Sequence, residues 1–188
     1  IAVYAEERFS RKKHDCRFPS KALDYAISNH GITPELIDSA CYYEDPILKL
    51  NRIEDQFNLS LSFAQYLTRK YEDGDLINPI STIAKALEIP ISKVHFVEHH
   101  TSHLFNAFTM LDDKERSGNS TLCITLDGVG ELATSTIYSC DYINKNLNIH
   151  ELSCSNFPNS LGLFYSAITA YLGFEVNEGE YKVMGMAP

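Results

Sequence analysis

Residues 94–104 read Val94-His95-Phe96-Val97-Glu98-His99-His100-Thr101-Ser102-His103-Leu104. The first four form a β-type run, and from Leu104 to Leu111 the apolar positions recur at helical spacing. A strand passing into a helix through a polar junction is the unit from which α/β folds are built. Three histidines in five residues occupy this junction. With a helix starting by residue 99, His99 and His103 stand one turn apart on one face, close enough to share an ion. Imidazole is the commonest ligand for first-row transition metals. His100 points elsewhere at that spacing, towards a supporting or structural role, and Glu98 is a candidate acceptor for an imidazole N–H. The competing reading gives the histidines hydrogen-bonding roles at a turn and nothing more.

Towards the C-terminus, the polar run 112–120 reads as a junction, and a new unit opens with Leu122-Cys123-Ile124-Thr125-Leu126, a central-strand candidate. Asp127-Gly128-Val129-Gly130-Glu131 follows. Glycines there let backbone N–H groups approach a phosphate while the carboxylate holds a cation, yet Asp-Gly is also the commonest hairpin turn. The position of Asp127, after a strand expected beside the His-bearing element, favours the cation. Strands are expected at about 132–139 and 147–153, then a helix opened by Pro158-Asn159-Ser160 and closed by Gly173. Its apolar positions are 161, 164, 165, 168, 171 and 172. Near the end, Lys182 beside Gly185 is a candidate phosphate partner, against the plainer reading of a surface lysine.

Towards the N-terminus, residues 1–9 predict a strand feeding a polar loop, and Ser20 a helix cap, with the helix ended by Gly31. A short helix is expected from Thr33-Pro34, a buried strand at 39–43, helical structure around 63–71, and a helix over 81–87. The pattern predicts an α/β fold of two related β/α halves, residues 1–112 and 121–188. Both ends read as cut, so the chain is expected to be part of something longer.

The net charge of −9 repels phosphate backbones, which argues against nucleic-acid binding; Arg11-Lys12-Lys13 is a short basic run of the kind usually found on a solvated face. Five cysteines, widely spaced and without Cys-x-x-Cys, argue against a disulfide framework or thiolate zinc site and for a reducing, cytoplasmic setting. The most apolar stretch, 161–174, is too short to cross a bilayer, so no membrane association is expected. No phosphate-binding P-loop, Gly-x-Ser-x-Gly elbow or cysteine-protease signature occurs.

Four stretches carry a family resemblance: AEERFSRKKHD…FP (5–19), VHFVEHHTSH (94–103), LDGVGE (126–131) and FPNSLGLFYSAITAYLGFEVNEGEYKVMGMAP (157–188). On these the chain resembles the N-terminal domain of NodU/CmcH-type O-carbamoyltransferases. The resemblance implies an actin/sugar-kinase/Hsp70-like (ASKHA, ribonuclease H-like) fold and a YrdC-like domain beyond residue 188 that makes carbamoyl-adenylate from carbamoyl phosphate and ATP. The carbamoyl group would pass to a hydroxyl of a small-molecule acceptor. His99, His103 and Asp127 fall where the family holds a divalent transition metal, iron or similar. Gly128, Gly130, Glu131, Lys182 and Gly185 fall in the two loops expected to hold nucleotide, with Glu98 and His100 around the ligands. A fourth carboxylate ligand and a histidine base lie outside this chain in the family pattern, so the chain is expected to be inactive alone. Met186 stands where the family more often has Leu, a volume-conserving change.

Two other readings share the fold: a non-catalytic nucleotide-binding module and a small-molecule kinase. Neither needs two imidazoles, since magnesium in kinases is held by carboxylates and water. Acceptor contacts are expected from 44–76, and homodimerisation is one assembly the reading allows.

Overall fold

A computed structural model of the chain describes residues 2–13, 15, 17–57, 79–116, 120–143 and 146–187. It divides into two compact units, Ile1–Val97 and Glu98–Pro188. The helical structure expected around 63–71, and most of the acceptor segment proposed at 44–76, lie outside the described residues.

In the first unit, helix α1 (Glu6–Ser10) precedes α2 (Ser20–His30). The strand expected over 1–9 is not found: no described strand pairs with residues 2–5, and helix begins at Glu6. Alternating β-formers become a strand only where a neighbour completes the ladder. Nor does Ser20 cap α2. It is the helix's first residue, and the Glu6 carboxylate accepts the Ala22 N–H at 2.8 Å. Acidic charge at a helix N-terminus is favourable wherever in the chain it comes from. As expected, Gly31 ends α2, with φ 60° and its N–H on the Ile27 carbonyl.

A 3-10 turn, Pro34–Leu36, leads into β1 (Ala40–Tyr42); α3 (Pro46–Phe57) and α4 (Pro79–Leu87) follow, then β2 (Val94–Phe96). The two strands are parallel, pairing Ala40 with Val94 and Tyr42 with Phe96. Parallel pairing demands a long crossover, and α3 and α4 lie within it. The small core joins Ala84 and Ile89 to Val94, with Ile37, Ala40 and Ile83 packed around them. Cys41 is exposed, so β1 is buried less completely than its sequence suggests.

The second unit starts with α5 (His99–Thr109) and the short α6 (Asp113–Arg116). Three antiparallel strands follow: β3 (Ser120–Leu126), β4 (Ala133–Ile143) and β5 (Asn146–Asn156). The order β3-β4-β5 puts β4 in the middle, so among the described residues β3 is an edge strand rather than the central one expected. α5 packs on this sheet through His100, Leu104 and Phe108, one residue per turn. Leu104 and Phe108 meet Cys123, Tyr138 and Cys140 in the core. The alternation of β4 is regular, with Thr134, Thr136, Tyr138 and Cys140 buried. The opposite face of β3, Leu122, Ile124 and Leu126, is exposed.

A connection through Phe157–Ser160 leads to α7 (Leu161–Tyr171), whose N-cap Ser160 accepts the Leu163 N–H at 3.0 Å. The expected apolar stripe is present on this helix, but Leu161, Phe164 and Tyr171 are exposed, and the buried side chain is Thr169. The helix α8 (Glu180–Gly185) completes the unit.

Candidate metal centre

The first turn of α5 is built from two directions. Its N-cap residue, Glu98, gives no side-chain cap bond and is exposed. The buried carboxylate of Glu131 supplies the missing acceptor instead, taking the His99 N–H at 3.0 and 3.1 Å. Burial, then the charges of Glu151 and Glu98, push the Cys154 thiol up.

The next residue, His100, is buried and held at both ring nitrogens. Its Nε2 lies 2.9 Å from the Ala133 carbonyl, which can only accept, so Nε2 carries the proton. Nδ1 of the neutral ring then accepts from the Thr125 hydroxyl at 2.6 Å, and Thr125 accepts from Thr136 at 2.5 Å. Burial holds the His100 pKa below its ordinary value, outweighing the Ala133 contact that favours the charged form. His100 therefore reads as the pin that joins α5 to β3 and β4.

With that residue pinned inward, His99 and His103 face the end of β3. The His99 Nε2 is 2.5 Å from Asp127 Oδ2 and 3.1 Å from His103 Nε2; His103 Nε2 is 3.6 Å from the same oxygen. The two rings meet edge to face with centroids 4.7 Å apart. One ligand atom from each of His99, His103 and Asp127 lies within 4.8 Å of the others. Two imidazole nitrogens and a carboxylate oxygen are a donor set that suits a divalent transition metal such as iron, zinc or cobalt. The donor set fits such an ion, because each group needs only to lose or move a proton to present a lone pair.

Asp127 sits on the connection between the antiparallel strands β3 and β4, as the hairpin reading of its sequence has it. Its N–H donates to the Thr134 carbonyl at 3.0 Å, and Gly130 N–H to Ala133 at 2.8 Å, closing the turn. Its Oδ1 accepts from Gly128 N–H at 2.6 Å, which leaves Oδ2 for the histidines. Burial pushes the Asp127 carboxyl up, but the bonds from His99 and Gly128 and the imidazole charges outweigh it, and the carboxyl titrates below its ordinary range. Two glycines let neighbours close on this turn. A Cβ on Gly130 would stand 2.9 Å from His99 Cβ, and one on Gly162, in α7, 2.6 Å from the Asp127 carbonyl oxygen. Ser160 Oγ lies 2.6 Å from the Gly128 carbonyl and 3.2 Å from that of Asp127, tying α7 to the turn.

Asp127 and Gly128 also border a cavity of about 610 Å³ between the β3 turn, α7 and the start of α8. Leu126, Leu163 and Val176 give it apolar walls; Ser166, Asn177 and Glu180 give it polar ones. Among the described residues no lysine or arginine lines it, and a neutral polar group suits such a lining better than a phosphate. Of the residues expected at nucleotide, Gly128 borders this space. Gly130 and Glu131 are buried against α5. Lys182 and Gly185 lie on α8, exposed, with the Lys182 ammonium 5.6 Å from the Phe174 ring centroid and 5.8 Å from that of Tyr181.

The sequence reading missed Ser160 as a clasp on the turn, and it missed the Thr125–Thr136 ladder. A signal for the second was available: Thr134 and Thr136, two apart on one strand face, and Thr125 all fall on the face turned to α5, where apolar residues are the norm.

The chain is similar to three curated proteins over its whole length. It is 34% identical to uncharacterized protein sll1178 of Synechocystis sp., of which it covers 31%. It is 28% identical to nodulation protein NolNO of Sinorhizobium fredii, covering 26%, and 29% identical to uncharacterized protein MJ1051 of Methanocaldococcus jannaschii, covering 29%. The chain thus spans less than a third of the length of these relatives. A family model described as carbamoyltransferase N-terminus matches residues 1–188, and the chain accordingly belongs to the carbamoyltransferase N-terminus family.

Proposed function

We propose that this chain is the acceptor-side part of an O-carbamoyltransferase with the ASKHA fold, in which His99, His103 and Asp127 hold a divalent transition metal. The observation that carries the reading is the convergence of two imidazole nitrogens and a carboxylate oxygen within 4.8 Å, in a member of a carbamoyltransferase family. The meander β3–β4–β5 followed by α7 is the succession expected where the second of two ASKHA halves, 121–188, begins, and it supports that fold. Among the described residues no helix is long and apolar enough to cross a membrane.

The reaction moves a carbamoyl group from carbamoyl-adenylate, made from carbamoyl phosphate and ATP by a YrdC-like domain, to a hydroxyl. The acceptor oxygen forms a bond to the carbamoyl carbon, the bond from that carbon to the phosphate oxygen breaks, AMP leaves, and the hydroxyl proton passes to a base. A metal at His99, His103 and Asp127 supplies Lewis acidity towards the carbamoyl carbonyl. Asp127 is presented for that task by Gly128 N–H, which holds Oδ1 and frees Oδ2. An ion held by His99, His103 and Asp127 would take the place of the hydrogen bond between His99 Nε2 and Asp127 Oδ2. The adjoining cavity, with Ser166, Asn177 and Glu180 as hydrogen-bonding groups, accommodates a neutral polar part of a substrate.

The test is made on the intact protein, purified without chelator. Elemental analysis is expected to show a transition metal that is lost in His99→Ala, and carbamoyl phosphate with ATP and a hydroxyl acceptor to give a carbamate ester. No metal in the wild type, or phosphorylation of the acceptor in place of carbamoylation, overturns the reading.

A further inference from the structure

The metal ligands come from two elements, α5 and the turn after β3, so something must set the distance between them. We propose that Glu131 is the positioning residue that does so, its carboxylate coupling the turn that bears Asp127 to the helix that bears His99 and His103. This inference rests on the metal reading above.

Three observations carry it. First, Glu131 lies four residues after Asp127 on a connection whose shape is closed by the Asp127–Thr134 and Gly130–Ala133 backbone bonds. Asp127 and Glu131 therefore move as one piece. Second, both Glu131 oxygens accept the N–H of His99, itself a candidate ligand. The path from one ligand to another is thus a short turn, one carboxylate and one amide. Third, Gly130 leaves no room for a side chain between the turn and His99, so the coupling is in close contact along its length.

A cap alone does not account for this. A serine, threonine or aspartate at residue 98 would cap this helix end locally, through the N–H of His100 or Thr101, whereas here a buried carboxylate arrives from 32 residues away, on the turn that bears the third ligand, and takes the N–H of His99 itself. Glu131 is not itself among the converging ligand atoms, and it does not border the cavity. An ionised carboxylate is costly to bury unless hydrogen-bonded, and the N-terminus of α5 supplies both the donor and a favourable dipole.

The experiment titrates Co(II) into the intact wild-type protein and into Glu131→Ala, Glu131→Gln and the double variant Glu98→Ser/Glu131→Ala. It reads the visible d–d spectrum, the dissociation constant and the thermal midpoint. Glu131→Ala is expected to weaken Co(II) binding by about 10–100-fold, the usual scale for residues that orient ligands, and to shift the spectrum. Glu131→Gln keeps an oxygen for the His99 amide and is expected to stay within a few-fold of wild type with an unshifted spectrum. In the double variant the local cap restores the midpoint but not the affinity or the spectrum. If the double variant recovers all three, the residue is only a cap and the inference is overturned; wild-type affinity in Glu131→Ala overturns it as well. Should the single alanine variant not fold, the double variant decides. A wild type that binds no Co(II) overturns the metal reading, and this inference with it.

Discussion

Replacing Gly162 by alanine sets two physical effects against each other. Gly162 is the second residue of α7, a helical position where alanine is favoured over glycine by about 1 kcal/mol. Propensity alone therefore predicts a more stable protein. The packing predicts the opposite. An added Cβ would stand 2.6 Å from the Asp127 oxygen, 2.8 Å from the Asp127 carbonyl carbon and 2.8 Å from the Gly128 nitrogen. All three are backbone atoms of a turn held on its other side by β4, so no side chain can swing away. Overpacking of this kind costs about 1–3 kcal/mol, and contact with three backbone atoms belongs at the upper end. The expected net effect is a loss of about 2 kcal/mol. Gly185 supplies the control: it lies at the end of α8 with nothing within 4 Å of the added Cβ, so Gly185→Ala is expected to be neutral or to gain a few tenths of a kcal/mol. Urea unfolding of the three proteins, with midpoints compared at unchanged slope, makes the measurement. A Gly162→Ala protein as stable as wild type would refute the close approach of α7 to the Asp127 turn, and with it the clasp through Ser160.

Two further outcomes test the packing of α5 on the sheet and of the sheet itself. His100→Ala leaves the Thr125 hydroxyl and the Ala133 carbonyl without their ring partner and opens a void against the sheet, for an expected loss of about 3 kcal/mol in urea unfolding. His100→Phe, which fills the space, should recover part of that loss; full stability in His100→Ala would contradict the pinning role. Burial, followed by the neighbouring Cys123 thiol, pushes the Cys140 pKa up to about 12, while Cys41 is exposed. In native protein at pH 8, peptide mass spectrometry should find Cys41 alkylated well before Cys123 and Cys140, which react only on unfolding. Equal rates for Cys140 and Cys41 would contradict the packed β3–β4 core.

Local patterns were enough to read helix over 104–111, the three-strand meander and a helix opened by Pro158-Asn159-Ser160, because each depends on neighbours within a few residues. The i,i+4 spacing of His99 and His103 is equally local. Asp127 is 28 residues from His99, and no spacing rule joins the two; the family resemblance put them together before the fold did. Contacts made at a distance were not legible. Glu6 caps α2 from 16 residues away and Glu131 reaches α5 across 32; in sequence the first looks like part of a solvated polar run, and the second was expected at nucleotide rather than at a helix end. The strand expected at 1–9 failed for a related reason, since β-formers announce a strand without announcing its partner. The apolar stripe of α7 announced burial, yet all six of its positions are exposed among the described residues.

The β3–β4 connection acts as a ruler. Asp127 and Glu131 are set by its length as much as by their own identity, with the backbone bonds at Asp127 and Gly130 counting out the residues between them. Variation in residue type at the half-buried Val129 is therefore a mild event, whereas a one-residue insertion or deletion between 127 and 131 would throw both carboxylates out of phase at once. Among related chains, the length of this segment should drift less than the chemistry of its middle residue, and a chain with an altered count there should have lost the convergence of its aspartate on the two histidines even with both histidines intact.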